Sequence, residues 1–208
     1  IDDGIEESGS FHTTSVVVVR RTSLLQYIAA KFEDRVSVSA NPEYYNNVTD
    51  EDLDYRRIAM KDDSLSTSLV VALSNAEIDI TYESYLTVYM TYNYLEEDTI
   101  ELGDKIISIN GGDPTVMLST FDCGDIVTFE VLRGTDTFTY DILKKEVDGY
   151  CAFGLYAKQF TEIFDVAIGY EFVQTNTGGP SGGLLQTLYI YNELTTTDYT
   201  YGLKVAGT

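Results

Sequence analysis

Two segments, IELGDKIISINGGDP at 100–114 and CGDIVTFEVLRGTDTFTYDIL at 123–143, each set a Gly-Asp pair ahead of a run rich in β-branched and aromatic residues. That pattern constrains the fold more than any other. Glycine supplies the turn conformation that other residues resist, and the following aspartate can accept hydrogen bonds from backbone amides of the same turn. Ile106, Ile107 and Ile109 then read as a strand that stops at Asn110-Gly111, and a second pair of strands turns around Arg133-Gly134. From Ile78 onward apolar residues alternate, with Tyr, Thr, Val and Phe prominent, so residues 84–144 are expected to form a compact β-rich module. The expectation is a small, partly open barrel with the side chains of Ile106 to Ile109 in its core.

The stretch before Ile78 has a different period. A strand is expected to end near Val19, followed by a helix capped by Thr22 or Ser23 with Leu24, Leu25, Ile28 and Ala29 on its buried side. Thr49 precedes Asp50, Glu51 and Asp52, which reads as a helix start and not as a cation site, because calcium-loop spacing and its glycine are missing. A further helix is expected from Ser64 to Ala76, with Leu65, Leu69, Val70 and Leu73 at helical spacing. The sequon Asn47-Val48-Thr49 is a legal glycan acceptor and carries no argument. The fold class is therefore α+β.

Charge and cysteines narrow the function. With 13 Lys and Arg against 34 Asp and Glu, the formal charge of −21 repels phosphate backbones and anionic membrane surfaces, so nucleic acid is not an expected partner. Cys123 and Cys151 lack metal-ligand spacing; they are free to pair in an oxidising compartment, but nothing in the sequence requires it. No metal and no cofactor is expected. No apolar run reaches membrane-spanning length, VVVV at 16–19 and LVVAL at 69–73 being the longest.

The segment TGGPSGGLLQTLYIYNELT at 177–195 raises the chemical question. Proline favours a first helical turn, and the glycines Gly178, Gly179, Gly182 and Gly183 let backbone approach a ligand closely. Ser181, beside these amides and the positive end of a helix dipole, is suited to acyl transfer through an oxyanion, although a GGPSGG turn read as physics alone is usually structural.

Two resemblances extend this reading. LxxGDxIxxxNG followed by GDxVxxxVxRG resembles a bacterial PDZ domain, which captures an extended peptide as an added strand. Its carboxylate-binding loop is expected near Ser84-Tyr85-Leu86-Thr87-Val88, although these residues lack the usual glycine, and the stretch from Gly111 to Gly124 is short for the helix that flanks such a groove. GGPSGGLLQTLYIYNELTTTDYTYGLKVAGT resembles the nucleophile segment of Lon-type serine proteases, whose pattern is GPSAG, a helix, an LT-containing turn, then a glycine and an AGT strand. A PDZ domain ahead of it, with no GxxxxGK[ST] phosphate loop in the chain, is similar to the ATP-independent, envelope-anchored PDZ-Lon proteases. SGSFHTTSV and DDSLSTSLVVALSNA also resemble the region preceding PDZ in that family.

The resemblance implies an N-terminal α/β region at 1–77, a PDZ-like domain at 78–146 and the first part of a Lon-type protease domain at 147–208. It implies that Ser181 is the nucleophile of a Ser-Lys dyad hydrolysing protein or peptide substrates, with the turn Gly178, Gly179, Pro180, Gly182 and Gly183 supplying oxyanion amides and Tyr85 to Val88 engaging peptide. The family's lysine lies several tens of residues past the serine. Lys204 matches the basic position before AGT and is rejected as the base, Lys158 has no motif, and His12 is expected to be a satisfied or exposed histidine and not a general base. The 208-residue chain alone is therefore expected to be inactive. A half protease domain is expected to associate with itself or be covered by a C-terminal segment, and any membrane anchor is expected in an N-terminal segment outside these residues, which places the protein outside the cytoplasm or in the cell envelope. The alternative is a non-catalytic PDZ-type peptide-binding or structural envelope protein that keeps the scaffold. Gly182, where the family has alanine, and the long link from Val166 to Ser181 are the departures that favour it.

Overall fold

The computed structural model describes residues 9–19, 22–40, 48–93, 95–96, 98–117, 120–147, 149–172 and 179–207. In chain order these form β1 (Ser10–Thr13), α1 (Leu24–Ala30), α2 (Asp50–Asn75), β2 (Ile80–Thr91), β3 (Lys105–Ile109), α3 (Pro114–Met117), β4 (Ile126–Arg133), β5 (Asp136–Leu143), β6 (Lys145–Val147), β7 (Tyr150–Ala152), β8 (Leu155–Val166), α4 (Gly183–Leu194) and β9 (Lys204–Gly207). Helix and strand are mixed. An antiparallel sheet ordered β5-β4-β3-β2-β8 dominates, with a β6–β7 hairpin and a parallel β1–β9 pair beside it.

The two Gly-Asp turns are built alike. Gly103 and Gly124 have φ of +87° and +92°, and each following aspartate accepts the backbone N–H three residues back, Glu101 to Asp104 at 2.9 Å and Asp122 to Asp125 at 2.8 Å. Asn110 and Gly111 both adopt positive φ between Ile109 and Gly112, whose N–H and C=O groups bond each other in the two-residue hairpin that Asn-Gly favours. Strand alternation, shifted by an irregularity in β3 between Ile106 and Ser108, then buries Ile106, Ile109, Val127, Phe129 and Val131 with Val88, Ile142 and Phe153.

The expected barrel is corrected to an open sheet. Closure would require the terminal strands β5 and β8 to pair with each other; β8 instead pairs along nearly the whole of β2, from Ile80↔Val166 to Thr91↔Leu155. Ile107, on the opposite pleat from Ile106, is exposed and does not join the core. The expected division at 146/147 crosses this sheet, because β8 belongs to the segment assigned to the protease part.

The two expected helices at 50 and 64 are one. Thr49 caps α2 in a capping box with Asp52, and with neither Gly nor Pro from Asp50 to Asn75 nothing interrupts the helix. The N-terminal expectation is corrected in the opposite direction. β1 ends at Thr13, Val16 to Val19 are exposed, and α1 forms its capping box through Ser23 and Gln26 yet buries no residue, leaving Leu24 and Leu25 at 74% and 79% exposure. The cap is local chemistry, whereas burial needs a neighbouring element, and none packs on this face among the described residues.

Two long-range links hold the sheet. Asp104, 1% exposed, receives Nε and Nη2 of Arg133 at 2.8 and 2.7 Å, joining the β3 turn to the end of β4. Cys123 and Cys151 are disulfide-bonded with Cα atoms 5.3 Å apart, which ties the turn before β4 to β7.

Candidate active site

α4 begins where the glycine-rich turn ends. Gly182 is its N-cap and Gly183 its first residue, so Ser181 stands one position ahead of the cap and outside the first turn. Ser181 is not the helix cap, since no side chain caps α4, and it is left exposed. The Gly183 N–H closes the turn on the Pro180 carbonyl at 3.2 Å, and the Gln186 N–H makes the first helical bond to Gly182 O at 3.0 Å. Gly178 lies outside the described residues; Gly179 has φ +93°. No acidic residue lies in the first turn of α4, so the positive end of its dipole is unopposed there.

The turn rests on α2. Gly179 N–H donates to the Arg57 carbonyl at 3.0 Å, Ser64 Oγ donates to Pro180 O at 3.1 Å, and Ser68 Oγ reaches Gly183 O at 2.8 Å. Residues 57, 64 and 68 recur at intervals of about two turns and one turn, which places them on one face of α2. A cavity of ≈ 320 Å³ opens beside the turn, lined by Asp63, Ser64, Ser68, Lys158, Pro180 and Gly183, among others.

Lys158 is the unexpected member of this group. The sequence offers no motif for it, yet β8 carries it to the cavity, where its Nζ donates to Asp63 Oδ2 at 2.8 Å. Asp63, buried, also accepts the Thr161 N–H at 2.9 Å, so the ion pair fastens α2 to the outer edge of β8. The contact to Asp63 engages the Lys158 Nζ and holds it between β8 and α2. Lys204 is exposed on β9, and His12 is exposed on β1 with Nε2 2.8 Å from Ser10 Oγ.

Tyr85, Leu86, Thr87 and Val88 do not form a loop. They lie inside β2, paired with β8 from Phe160 to Ala157, while Leu86 and Thr87 also face Ile106 and Lys105 of β3. Val88 N–H and C=O bond Asp104 and Gly103. The expected peptide-binding edge is therefore occupied by the chain's own strands, because β8 takes the position that an added peptide would need.

Ser64, Ser68, Asp63 and Lys158 are the site residues that sequence reasoning passed over. The available signal was the spacing of Ser64 and Ser68, one helical turn apart within a helix whose other face is apolar. Comparison of the chain with protein-family models, with curated proteins and with solved structures found no match. Among the described residues no group of three or more His, Cys, Asp or Glu is arranged to hold a metal ion, and no helix is long and apolar enough to cross a membrane.

Proposed function

We propose that this chain carries the nucleophile of a serine endopeptidase of the ATP-independent PDZ-Lon type, with Ser181 attacking the scissile carbonyl of a protein or peptide substrate. The observation that carries the reading is an exposed Ser181 at the mouth of α4, inside a turn tied to α2 and beside an open cavity. In the first step the Ser181 Oγ–carbonyl carbon bond forms, the hydroxyl proton passes to a neutral lysine amine, and the carbonyl oxygen becomes an oxyanion that turn amides stabilise. Collapse expels the amine product, which takes the proton back from the lysine, and water then cleaves the acyl-enzyme by the reverse sequence. The lysine is proposed to come from protein beyond these residues, since Lys158 is bound to Asp63 and Lys204 lies exposed on β9.

An extracytoplasmic or envelope location, with an anchor outside the chain, is part of the proposal; the Cys123–Cys151 disulfide supports an oxidising compartment. The second reading, a non-catalytic scaffold, draws on the same ion pair, which leaves Ser181 without a free base among the described residues.

The test compares the full-length protein, its Ser181→Ala variant and the 208-residue chain on an unfolded protein substrate. Hydrolysis by the full-length protein, lost in Ser181→Ala with folding intact, is the expected result, and the shorter chain should be inert. Undiminished activity in Ser181→Ala overturns the nucleophile. Ser181-dependent activity in the shorter chain would place the base within it, at Lys204 or Lys158.

A further inference from the structure

We propose that Ser64 and Ser68 of α2 are positioning residues that aim the backbone of the Ser181 turn, an inference that rests on Ser181 being the nucleophile. The Pro180–Ser181 peptide is trans and planar, so its N–H points opposite to its C=O. Ser64 Oγ donates to that C=O at 3.1 Å, which turns the carbonyl toward α2 and the Ser181 N–H away from it, to the side where Ser181 is exposed. At the other end of the turn the Ser68 hydroxyl, 2% exposed, is shared between Ser64 O at 2.6 Å and Gly183 O at 2.8 Å. With Gly179 N–H on Arg57 O at 3.0 Å, the turn is gripped before, beside and after the serine. Among the described residues no partner takes the Ser181 or Gly182 N–H, and these are the two amides that the proposal assigns to a developing oxyanion.

The fit also couples one glycine to this bond. A Cβ at Gly183 would lie 2.5 Å from Ser64 Oγ, too close for the pair, so alanine there requires the Ser64 hydroxyl to shift and is expected to weaken its bond to Pro180. Gly183→Ala thus weakens the bond that Ser64→Ala abolishes, without removing the hydroxyl. A purely structural role for Ser64 would lower stability and leave turnover per folded molecule alone. A positioning role instead lowers kcat, because oxyanion donors act in the transition state and a displacement of about 1 Å costs on the order of 100-fold.

The experiment measures kcat, KM and thermal midpoint in the full-length protein for Ser64→Ala, Ser64→Thr, Gly183→Ala and the Ser64→Ala/Gly183→Ala double variant. Expected are a fall in kcat of about 10- to 100-fold in both single alanine variants at near-constant KM, rescue by threonine, which keeps the hydroxyl, and no further fall in the double variant. Full turnover in Ser64→Ala beside a dead Ser181→Ala protein overturns the positioning role and leaves the nucleophile standing. Retained hydrolysis in Ser181→Ala overturns the nucleophile itself. Amide hydrogen exchange at Ser181 and Gly182 in the 208-residue chain needs no activity: altered exchange in Ser64→Ala supports the grip on the turn, and unchanged exchange overturns it.

Discussion

Asp52 joins two elements through one carboxylate. It accepts the Thr49 N–H and hydroxyl at the start of α2, while its Oδ1 accepts the Thr91 N–H at 3.1 Å and the Thr91 hydroxyl at 2.7 Å at the end of β2. Burial alone would push its pKa up, but the hydrogen bonds from Thr49 and Thr91 outweigh burial and hold the carboxyl below the ordinary aspartate value. The folded state therefore binds fewer protons here than the unfolded chain. The resulting stabilisation is present above the ordinary aspartate pKa of about 3.9 and is lost as pH falls through the lower folded value. Asp52→Ala should lower unfolding free energy by about 2 kcal/mol at pH 7, because it strands the Thr91 donors. It should also flatten the acid limb of stability against pH; denaturant titrations from pH 2 to pH 7 read both effects. The two glycines after Ser181 give a second contrast. A Cβ at Gly182 meets nothing nearer than Gln186 Nε2 at 3.5 Å, and the φ of −87° suits any residue. Gly182→Ala should shift the thermal midpoint little, by the equivalent of about 0.5 kcal/mol or less, whereas Gly183→Ala should destabilise measurably in the same melt. An alanine thus fits at position 182 without disturbing the turn.

Among the elements, the β6–β7 hairpin shows how a covalent link substitutes for burial. Each strand spans three residues, and Tyr150 and Cys151 are exposed, so the hairpin has little apolar area of its own. Phe153, directly after β7, enters the core edge-on to Phe129 with ring centroids 5.2 Å apart. The disulfide closes a loop of 28 residues, for which chain entropy predicts about 3 to 4 kcal/mol of stabilisation. Cys123→Ser with Cys151→Ser should lower the denaturation midpoint accordingly, and a reducing agent should reproduce the shift in the parent chain; equal midpoints with and without reductant would show that the bond does not form. The β1–β9 pair depends on close approach instead. A Cβ at Gly9 would overlap the Thr200 side chain at 1.9 Å, so β1 reaches β9 only because residue 9 has no side chain.

For the whole molecule, the exposed apolar surface is uneven. Val16 to Val19, Leu24, Leu25 and Phe32 stand open in the N-terminal stretch, and Leu184, Tyr201 and Leu203 are exposed near α4 and β9. Contiguous apolar surface favours association, which a charge of −21 opposes at low ionic strength and opposes less once salt screens it. The 208-residue chain is expected to self-associate as salt is raised, and sedimentation velocity at low and high salt measures this; a monomer at high concentration under both conditions would count against the proposal of an oligomer or covering segment.

Where chemistry acts over three or four residues, the chain alone was enough. The turns at Gly103 and Gly124, the Asn110-Gly111 hairpin, the cap at Thr49 and the start of a helix at the end of GGPSGG all follow from groups that meet their partners within one turn, so sequence spacing states their geometry directly. Helix continuity from Asp50 to Asn75 is equally local, since no Gly or Pro interrupts it, whereas the spacing of Leu65, Leu69, Val70 and Leu73 alone does not say where a helix begins. Tertiary structure alone decided that β8 closes the side of β2 expected to be open, that Arg133 reaches back to Asp104, that Cys123 meets Cys151, and that α2 presents Ser64 and Ser68 to the Ser181 turn. Each joins residues between 28 and 116 positions apart. No periodicity records such a meeting, because which partner a strand edge or a hydroxyl finds depends on how the elements pack and not on its neighbours in the chain.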